Sequence, residues 1–451
     1  MKIRIVFLFC LLISQWSWAQ YTQNDPLTRL GIGDKILTGN TTLQSFGGPS
    51  IIALESHCFQ LNNPASYSWM KETSFQSSAV VNQSVVKQGS TSEPYYGGQV
   101  GEVALGFRRS GKPWGFALGM SDYSRVGYAV DQPFSVNDSV NGIKHQHGDG
   151  GIHQLTIGSA RMFQFFKDST HYAAHRLSIG LNMHYLYGTI IHNRDLAFLN
   201  TNMYNSRFTN SLRVRDVRMD AGIFYQFPIL GNKKSSSKKG MLLGNLAGSV
   251  SPGSNISSYI SDFGINYYQY AGVDVTIDTG FATVDIPKKL VIPMQFSYSV
   301  GLAYYMKNGG YLGVAYSASI QDWSLVNNQS IAWEELNNLN RYHAQTISFD
   351  YSPLSAERSR NFFGLIRYRG GITWIEDYLN TSGNIPTVKS YNLGISMPVR
   401  SSKSNTTIQF GYQWKQRLVG GTDGLLVQNQ SVMIGVQLHP FERWFIQRKY
   451  D

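Results

Sequence analysis

The stretch HRLSIGLNMHYLYG, residues 175 to 188, alternates between apolar side chains and small or polar ones. Leu177, Ile179, Leu181, Met183, Tyr185 and Tyr187 share one face of an extended strand, and Ser178, Gly180, Asn182 and His184 share the other. A period of two residues indicates a β-strand with one apolar and one polar face. Because a soluble sandwich and a transmembrane barrel both produce this pattern, the alternation alone does not decide between them.

The same alternation recurs from about residue 74 onward, for example in KPWGFALGMS (112–121) and RDVRMDAGIFYQF (215–227). Candidate strands begin near residues 74, 99, 113, 152, 176, 215, 240, 292, 310, 343, 363, 389, 406 and 429. They number about fourteen, and an even number is typical of single-chain outer-membrane barrels. The segment AGVDVTIDTGFATV (271–284) would be a further strand, and we interpret it as a hairpin or strand extension in the longest external loop.

The lengths of the connections separate the two folds. With both barrel ends on the periplasmic side, the inward connections begin near residues 109, 164, 228, 307, 353 and 399 and are roughly 4 to 12 residues long. The outward connections begin near residues 87, 122, 189, 251, 322, 376 and 417 and are roughly 12 to 40 residues long. A sandwich has no reason to sort its loops in this way. The sequence therefore predicts an all-β fold, a transmembrane antiparallel barrel of about 14 strands.

Composition agrees with a barrel. Charged residues make up 15% of the chain and aromatic residues 13%, with 44 glycines, whereas soluble domains carry about 25% charged residues. The net charge of +11 is scattered apart from KKSSSKK (Lys233–Lys239), which is typical of a solvated turn. We therefore predict no nucleic-acid partner.

The first residues, MKIRIVFLFCLLISQWSWA (1–19), combine a basic start, an apolar core and small residues before a cleavage site. This pattern predicts a secretory signal peptide and export to the outer membrane of a Gram-negative cell. The mature chain then keeps Cys58 as its only cysteine. We divide the rest into an N-terminal hatch, or plug, at 20–72, a barrel at 73–440 and a periplasmic tail at 441–451.

Residues 20–72 lack the alternation and contain many glycines, including Gly31 and Gly33, yet they carry too many apolar residues for a solvated tail. A compact irregular segment of this kind can fold inside a lumen, where its backbone finds partners or water. The stretch LNNPASYSW (61–69) then predicts a fixed corner where the hatch leaves the lumen, because Pro64 fixes its own φ and lacks a backbone donor. We predict that Asn63, Pro64 and Ala65 anchor the hatch.

Several short motifs follow one another along the chain. They are LTRLGIGD (27–34), Asn63-Pro64-Ala65, Thr73-Ser74-Phe75, Ile286-Pro287, Asp322-Trp323-Ser324, Arg369-Gly370-Gly371 and Trp444-Phe445. In this order they resemble a divergent branch of the long-chain fatty-acid transporter (FadL-type) barrels. The resemblance implies fourteen strands, a hatch in the lumen, and a lateral opening where an inward kink interrupts the third strand. It also implies uptake of hydrophobic molecules from outside into the membrane.

The third strand is expected near residues 113–121, so Gly119, Ser121 and Asp122 are the candidate kink and lateral gate. A lumen-facing glycine before an external loop is the alternative interpretation of Gly119. Candidate ligand-binding residues occupy the long external segments at 122–151 and 189–214: Tyr123, Tyr128, Phe134, Phe198, Tyr204 and Arg207. Aromatic side chains at a mouth can bury an apolar ligand, although packing within the loops explains them equally well.

His145, His147, Asp149 and His153 are of the types that bind metals, but a solvated external loop is the better interpretation of this cluster. No spaced catalytic motif occurs, so we predict neither an enzyme nor a cofactor or metal.

The leading hypothesis is a monomeric transporter whose partners are membrane lipids and a hydrophobic or amphipathic small molecule, released laterally into the membrane. The alternative is a barrel subunit of a protein secretion machinery, a docking or shuttle protein of the type IX kind, that binds other proteins at the external face. A lipid-modifying enzyme is a third hypothesis. The substrate is left open, because an apolar path discriminates poorly between apolar chains.

Overall fold

The computed structural model describes residues 25–56, 58–70, 73–89, 91–108, 112–136, 140–165, 175–198, 203–230, 240–270, 273–307, 309–326, 339–353, 362–381, 384–400, 404–420 and 424–440. The strands are β1 (Asp34–Lys35), β2 (Ser74–Gln88), β3 (Thr91–Arg108), β4 (Trp114–Val136), β5 (Val140–Phe165), β6 (His175–Phe198), β7 (Asn205–Leu230), β8 (Met241–Ser251), β9 (Ser254–Tyr270), β10 (Val273–Ile292), β11 (Gln295–Tyr305), β12 (Tyr311–Asp322), β13 (Arg341–Ser352), β14 (Arg367–Glu376), β15 (Thr387–Arg400), β16 (Ser404–Val419) and β17 (Leu425–Pro440). The predicted signal peptide, the predicted tail at 441–451 and the Lys233–Lys239 run lie outside the described residues.

Fourteen of these strands, β2 to β8 and β11 to β17, form one closed antiparallel ring. The ring closes where β17 pairs with β2, from Leu438 opposite Phe75 to Leu426 opposite Lys87. The predicted fold, an antiparallel barrel of about fourteen strands, is confirmed.

The outer surface of the ring is apolar and the inner surface is polar. On β6, Leu181 is 63% exposed whereas its neighbour Asn182 is 3% exposed, and the same alternation continues along the strand. Exposed apolar side chains also project outward from β4, β7 and β13, for example Phe116, Met219 and Ile347. An apolar outer belt around a polar lumen is the pattern of a transmembrane barrel. In the described part of the chain, no helix has the length and apolar character needed to cross a membrane.

The strands β9 and β10 form a hairpin outside the ring. The wall strand β8 pairs with both β7 and β11, so the chain leaves the wall after Ser251 and returns to it at Gln295. Between these points, β9 pairs with the outer half of β7, from Asn205 to Val214. The interpretation of 271–284 as a hairpin in the longest external segment agrees with this arrangement.

The predicted long external loops at 122–151 and 189–214 are in large part not loops. The strand β4 continues to Val136 and pairs with β5 from Val140, and β6 reaches Phe198 opposite β7. These outer halves continue the ladder beyond the apolar belt. Their inner face carries buried apolar side chains such as Val126 and Ile190 together with polar ones, and their outer face carries polar residues such as Asp131 and His145. The two-residue alternation therefore fades there although the backbone stays extended, and for this reason the sequence pattern predicted loops.

Residues 25–56 and 58–70 form short turns that contact the inner wall. They contain one short helix, α1 (Thr41–Ser45), and 3-10 turns at Pro26–Arg29, Ile51–Ser56 and Pro64–Trp69. The helix α1 begins at Asn40, whose side chain accepts a hydrogen bond from the backbone nitrogen of Thr42 at 2.8 Å. We call residues 25–70 the hatch.

The hatch fits against the wall because glycines line the contact. A Cβ atom at Gly115 of β4 would lie 2.1 Å from the backbone oxygen of Tyr67, and one at Gly180 of β6 would lie 2.5 Å from the carbonyl carbon of Pro64. Only glycine admits so close an approach of two backbones.

Candidate functional site: the split between β3 and β4

The ladder between β3 and β4 is short. Within the described residues its pairs run from Arg108 opposite Gly115 to Glu102 opposite Ser121. Beyond that point β3 continues to pair with β2, and β4 pairs with β5 on its other side. We call the part of the wall beyond the Glu102–Ser121 pair the split.

The hatch occupies the free edge of β4 at the split. Asp34 and Lys35, which form β1, pair with Arg125 and Ser124 of β4. The backbone nitrogen of Ile36 donates to the oxygen of Tyr123 at 3.1 Å. Edge donors and acceptors of β4 are thereby satisfied by the hatch instead of by β3.

The hatch also reaches the other side of the split. A Cβ atom at Gly39 would lie 2.4 Å from the backbone oxygen of Gly101 in β3, and Ser78 of β2 donates to the oxygen of Gly39 at 2.5 Å. Residues 33–39, which we call the hatch ribbon, therefore extend from the edge of β4 to the edge of β3 on the inner side of the wall.

The predicted kink residues lie where the split begins. Gly119 faces the lumen, because a Cβ atom there would lie 2.7 Å from Cδ1 of Leu61. Ser121 takes part in the last β3–β4 pair, and the β4–β5 register shifts between Asp122 and Ser124. Asp122 binds the guanidinium of Arg125 and lies 2.5 Å from Nδ1 of His153. The irregularity of β4 thus lies three to five residues beyond Gly119.

A cluster of buried charges ties the hatch to the wall. Arg417 of β16 binds the carboxylates of Asp25 and Asp34 in the hatch and lies 3.0 Å from Asp377, which follows β14. Lys415 binds Asp34 at 2.7 Å. Burial alone raises the pKa of the Asp34 carboxyl, but the positive charges of Lys415 and Arg417 outweigh burial and hold that pKa well below its usual range. We call these five residues the latch.

The hatch glycines Gly31 and Gly33 adopt left-handed backbone conformations, with φ of 65° and 88°. Between them, the backbone nitrogen of Ile32 donates to the hydroxyl of Tyr378 at 3.2 Å, and this hydroxyl donates to the oxygen of Gly33. Tyr378 is fully buried and packs against Trp323. These two glycines therefore shape the hatch loop that binds Tyr378.

The predicted anchor residues Asn63, Pro64 and Ala65 lie at the start of the 3-10 turn Pro64–Trp69. The side-chain oxygen of Asn63 accepts from the backbone nitrogen of Ala65 at 3.1 Å. The wall holds the same turn, because Ser178 of β6 donates to the oxygen of Ala65 at 2.7 Å. Their role as an anchor remains a prediction.

Two cavities flank the hatch ribbon, and both are lined by a mixture of polar and apolar side chains. The first encloses about 100 Å³ between the hatch and strands β7, β8, β11 and β12. It is lined by serines of these strands together with Lys35, His184, Arg218 and Asp220. The second encloses about 120 Å³ on the side of β14 to β17, next to Lys415 and Arg417. Drug-sized ligands occupy about 300–1,000 Å³, so neither cavity accommodates a long acyl chain as it stands.

The predicted ligand-binding residues do not converge on one cavity. Tyr123 lines the first cavity. The Tyr128 hydroxyl lies 2.8 Å from Nδ1 of His192, and Phe134 packs edge-to-face on Phe198. Tyr204 is 61% exposed. Arg207 binds Asp195 through two nitrogens and is also paired with Asp274. The role of these six residues in binding a ligand remains a prediction.

The external histidines point to separate partners. His145 lies 2.8 Å from Asp131, His147 lies 3.1 Å from Asn193, and His153 binds Asp122. Among the described residues, no group of three or more His, Cys, Asp or Glu side chains is arranged to hold a metal ion.

Sequence reasoning missed the wall residues that hold the hatch, above all Arg417, Lys415 and Tyr378. The available signal was the polar face of β16, where two basic residues two positions apart point into the lumen. Buried charges of this kind require partners, but the partner in the hatch, Asp34, lies more than 380 residues away in the sequence.

The chain is similar to known proteins in its sequence family and in its fold. The model of a family described as BamG matches residues 1–451. No curated protein matches the sequence. A FadL homologue of Pseudomonas aeruginosa is similar in structure, with 11% identity and a TM-score of 0.55 over 91% of this chain and 100% of that one. The CymD monoaromatic hydrocarbon channel has 10% identity and a TM-score of 0.52, with the same coverage. At these identities the likeness shows the fold alone, which is that of the FadL-type barrels.

Proposed function

The chain belongs to the BamG family, and we propose that it is an outer-membrane barrel that takes up amphipathic molecules and releases them laterally through the split between β3 and β4. The observation that carries this proposal is the exchange of partners along β4. Its edge pairs with β3 up to Ser121 and with the hatch from Ser124. Beyond Ser121 the edge of β4 is paired with the hatch and not with the neighbouring wall strand β3. The wall can therefore open at this edge while the other strand pairs of the ring stay intact.

Passage through the split requires the hatch ribbon to leave the edge of β4. The link consists of the β1 pairs and the bond from Ile36 to Tyr123, and each backbone hydrogen bond contributes only about 1 kcal/mol net. The latch on the far side involves Asp25 and Asp34 with Arg417. Because Asp34 belongs to both the ribbon and the latch, the less costly path is release of Lys35 and the residues that follow it from β4 while Asp34 stays bound to Arg417.

The mixed lining of both cavities favours an amphipathic substrate. Serine, glutamine and charged side chains next to the hatch ribbon can solvate a polar head group, and apolar side chains such as Leu37 and Phe224 can contact the apolar part of the molecule. In this proposal the barrel delivers the apolar part of the molecule to the lipid through the split.

Uptake into vesicles tests this function. Proteoliposomes containing the full chain are mixed with a fluorescent amphipath that has a long tail and a charged head, and its entry into the membrane is followed with time. We expect saturable uptake that is faster than in vesicles containing an equal mass of an unrelated closed barrel. Equal rates in the two preparations would overturn the proposal.

A second candidate function, docking of another protein at the cell surface, is favoured by the β9–β10 hairpin. In the described part of the chain, all pairs of β10 are with β9, so its other edge is unpaired there. The hairpin also exposes large apolar side chains, including Val273, Phe281 and Val284. Exposed edges and apolar patches are typical of interaction surfaces.

Photo-crosslinking in growing cells separates the two functions. A photoreactive residue replaces Val273 or Val284 in the hairpin, and Ile347 of the lipid-facing belt serves as the matched control. Docking predicts one discrete adduct of higher mass at the hairpin positions and none at position 347. Adducts at all three positions, or at none, would count against docking.

A further inference from the structure

Arg218 is a buried cation with unused hydrogen-bond donors. Its side chain projects from β7 into the first cavity and is 5% exposed. Nη1 donates to the hydroxyl of Tyr123 at 3.3 Å, and the guanidinium lies 5.6 Å from the centre of the Tyr123 ring. Its Nε and Nη2 atoms have no hydrogen-bond partner among the residues that the structure describes. Buried donors left in this state are costly, by about 1–3 kcal/mol each.

The carboxylate on the same face of β7 attracts Arg218 through space but does not form a direct ion pair with it among the described residues. Asp220 lies 2.6 Å from Nε2 of His184 and accepts a hydrogen bond from the hydroxyl of Ser251. Its two oxygens are thereby directed to other partners, and no ion pair of Arg218 is found within the described residues. The guanidinium retains a positive charge that faces the cavity.

A second cation lines the same cavity. Lys35 of the hatch ribbon donates to the side-chain oxygens of Gln295, at 3.0 Å, and of Gln321, which are neutral acceptors. Burial, and then the charge of Arg218, hold the pKa of Lys35 well below its usual range. An anion placed between the two side chains would relieve their repulsion.

The serines on the wall side of the cavity suit an anion with several oxygens. Ser249, Ser317 and Ser319 are among the lining residues. Hydroxyls supply donors without adding charge, and a guanidinium binds two oxygens of one oxyanion side by side. The volume of about 100 Å³ admits a compact molecule.

We infer that the cavity between the hatch ribbon and strands β7, β8, β11 and β12 is a binding site for a compact oxyanion, a short carboxylate or a phosphate, held by Arg218 and Lys35. The site does not depend on lateral release, because binding to it requires no movement of the hatch. It gives the lumen a polar ligand in addition to any amphipathic substrate.

Calorimetric titration of the full chain in a non-ionic detergent tests the site. Acetate and inorganic phosphate are titrated separately, so that the two sources of oxyanion are distinguished. We expect saturable binding of one of them to the wild type and at least tenfold weaker binding to Arg218→Gln. The matched control is Arg213→Gln, because Arg213 lies on the same strand but is paired with Asp285 at 2.7 Å.

Lys35→Gln is a second variant, outside the wall, that tests the site if Arg218→Gln does not fold. Folding of every variant is checked by heat-modifiable migration in gel electrophoresis. Lys35→Gln should also weaken binding at least severalfold. The inference is overturned if neither anion binds the wild type saturably, or if Arg213→Gln weakens binding as much as Arg218→Gln. Because no transport is measured, failure of the uptake proposal would leave this result unaffected.

Discussion

Nη2 of Arg417, on wall strand β16, lies 2.5 Å from Oδ1 of Asp34 in the hatch ribbon. Asp34 is also half of β1, which pairs with Arg125 on the edge of β4. One hatch residue therefore joins two distant parts of the wall, the latch at β16 and the split at β4. The position of the hatch ribbon at the split is coupled to a buried ion pair across the lumen.

Replacing Asp34 should destabilise the hatch, whereas replacing Asp377 should not. Asp34→Asn leaves Arg417 and Lys415 with one fewer buried partner, and breaking a buried pair costs on the order of 3 kcal/mol. For Asp377, burial raises the pKa of the carboxyl more than Arg417 lowers it, so its charge is poorly stabilised. We expect faster proteolysis within residues 25–70 for Asp34→Asn and wild-type rates for Asp377→Asn. Equal rates for the two variants would contradict the role of Asp34.

The latch should respond to acid and not to mild alkali. Because the folded pKa of Asp34 is depressed, its contribution is complete above the unfolded pKa of about 3.9. The contribution is lost as pH falls below that value toward the folded pKa. We expect the contribution of Asp34 to the protease resistance of residues 25–70 to be constant between pH 5 and 8 and to fall below about pH 4. Protection that falls in parallel in the wild type and Asp34→Asn would show that another group is responsible.

A methyl group at Gly115 should displace the hatch from the wall. Gly115→Ala would place Cβ 2.1 Å from the oxygen of Tyr67, whereas the matched control Gly98→Ala, in β3, would place it 3.9 Å from the oxygen of Val80. Overpacking of this kind typically costs about 1–3 kcal/mol. Thermal unfolding should show a lower Tm for Gly115→Ala and little change for Gly98→Ala. Two equal Tm values would mean that the backbone contact is not tight.

The start of the 3-10 turn should hold the hatch corner. Replacing both Asn63 and Pro64 with alanine removes the cap that accepts from Ala65, which is worth about 1 kcal/mol, and releases the fixed φ of the proline. We expect increased leak of small polar dyes through vesicles containing the variant. The control is Asn384→Ala in an external turn. Leak at the wild-type level would mean that residues 61–69 are an ordinary turn and do not hold the hatch in place.

The sequence predicts the wall well and the outer strands poorly, for a physical reason. In residues 175–188 each side chain faces either lipid or lumen, so the two-residue alternation is strict and the strand is predictable. In the outer halves of β4 and β5, near Tyr128 and His147, water or protein lies on both faces. The backbone stays paired there without imposing any alternation on the residue types.

The candidate site was only partly predictable for a related reason. Gly119, Ser121 and Asp122, chosen because the resembled family has a kink in its third strand, lie within a few residues of the register shift in β4, and their role as a gate remains a prediction. The partner exchange at that edge depends on Lys35 pairing with Ser124, and the latch depends on Asp34 meeting Arg417. Such contacts join residues far apart in the chain, and no local pattern specifies them.

The most direct measurement of lateral release uses a reversible tether between the hatch ribbon and β4. Lys35→Cys and Ser124→Cys lie at directly paired positions, and Cys58→Ser removes the other cysteine of the described chain. Ser299→Cys with Ser317→Cys, paired within the wall, is the matched control. In the variant with Lys35→Cys and Ser124→Cys, oxidation should reduce uptake of the fluorescent amphipath to the level of the unrelated closed barrel. A reductant should restore this uptake. Uptake by the control variant should be unaffected by either treatment. Uptake by the oxidised first pair at its reduced rate would contradict passage through the split.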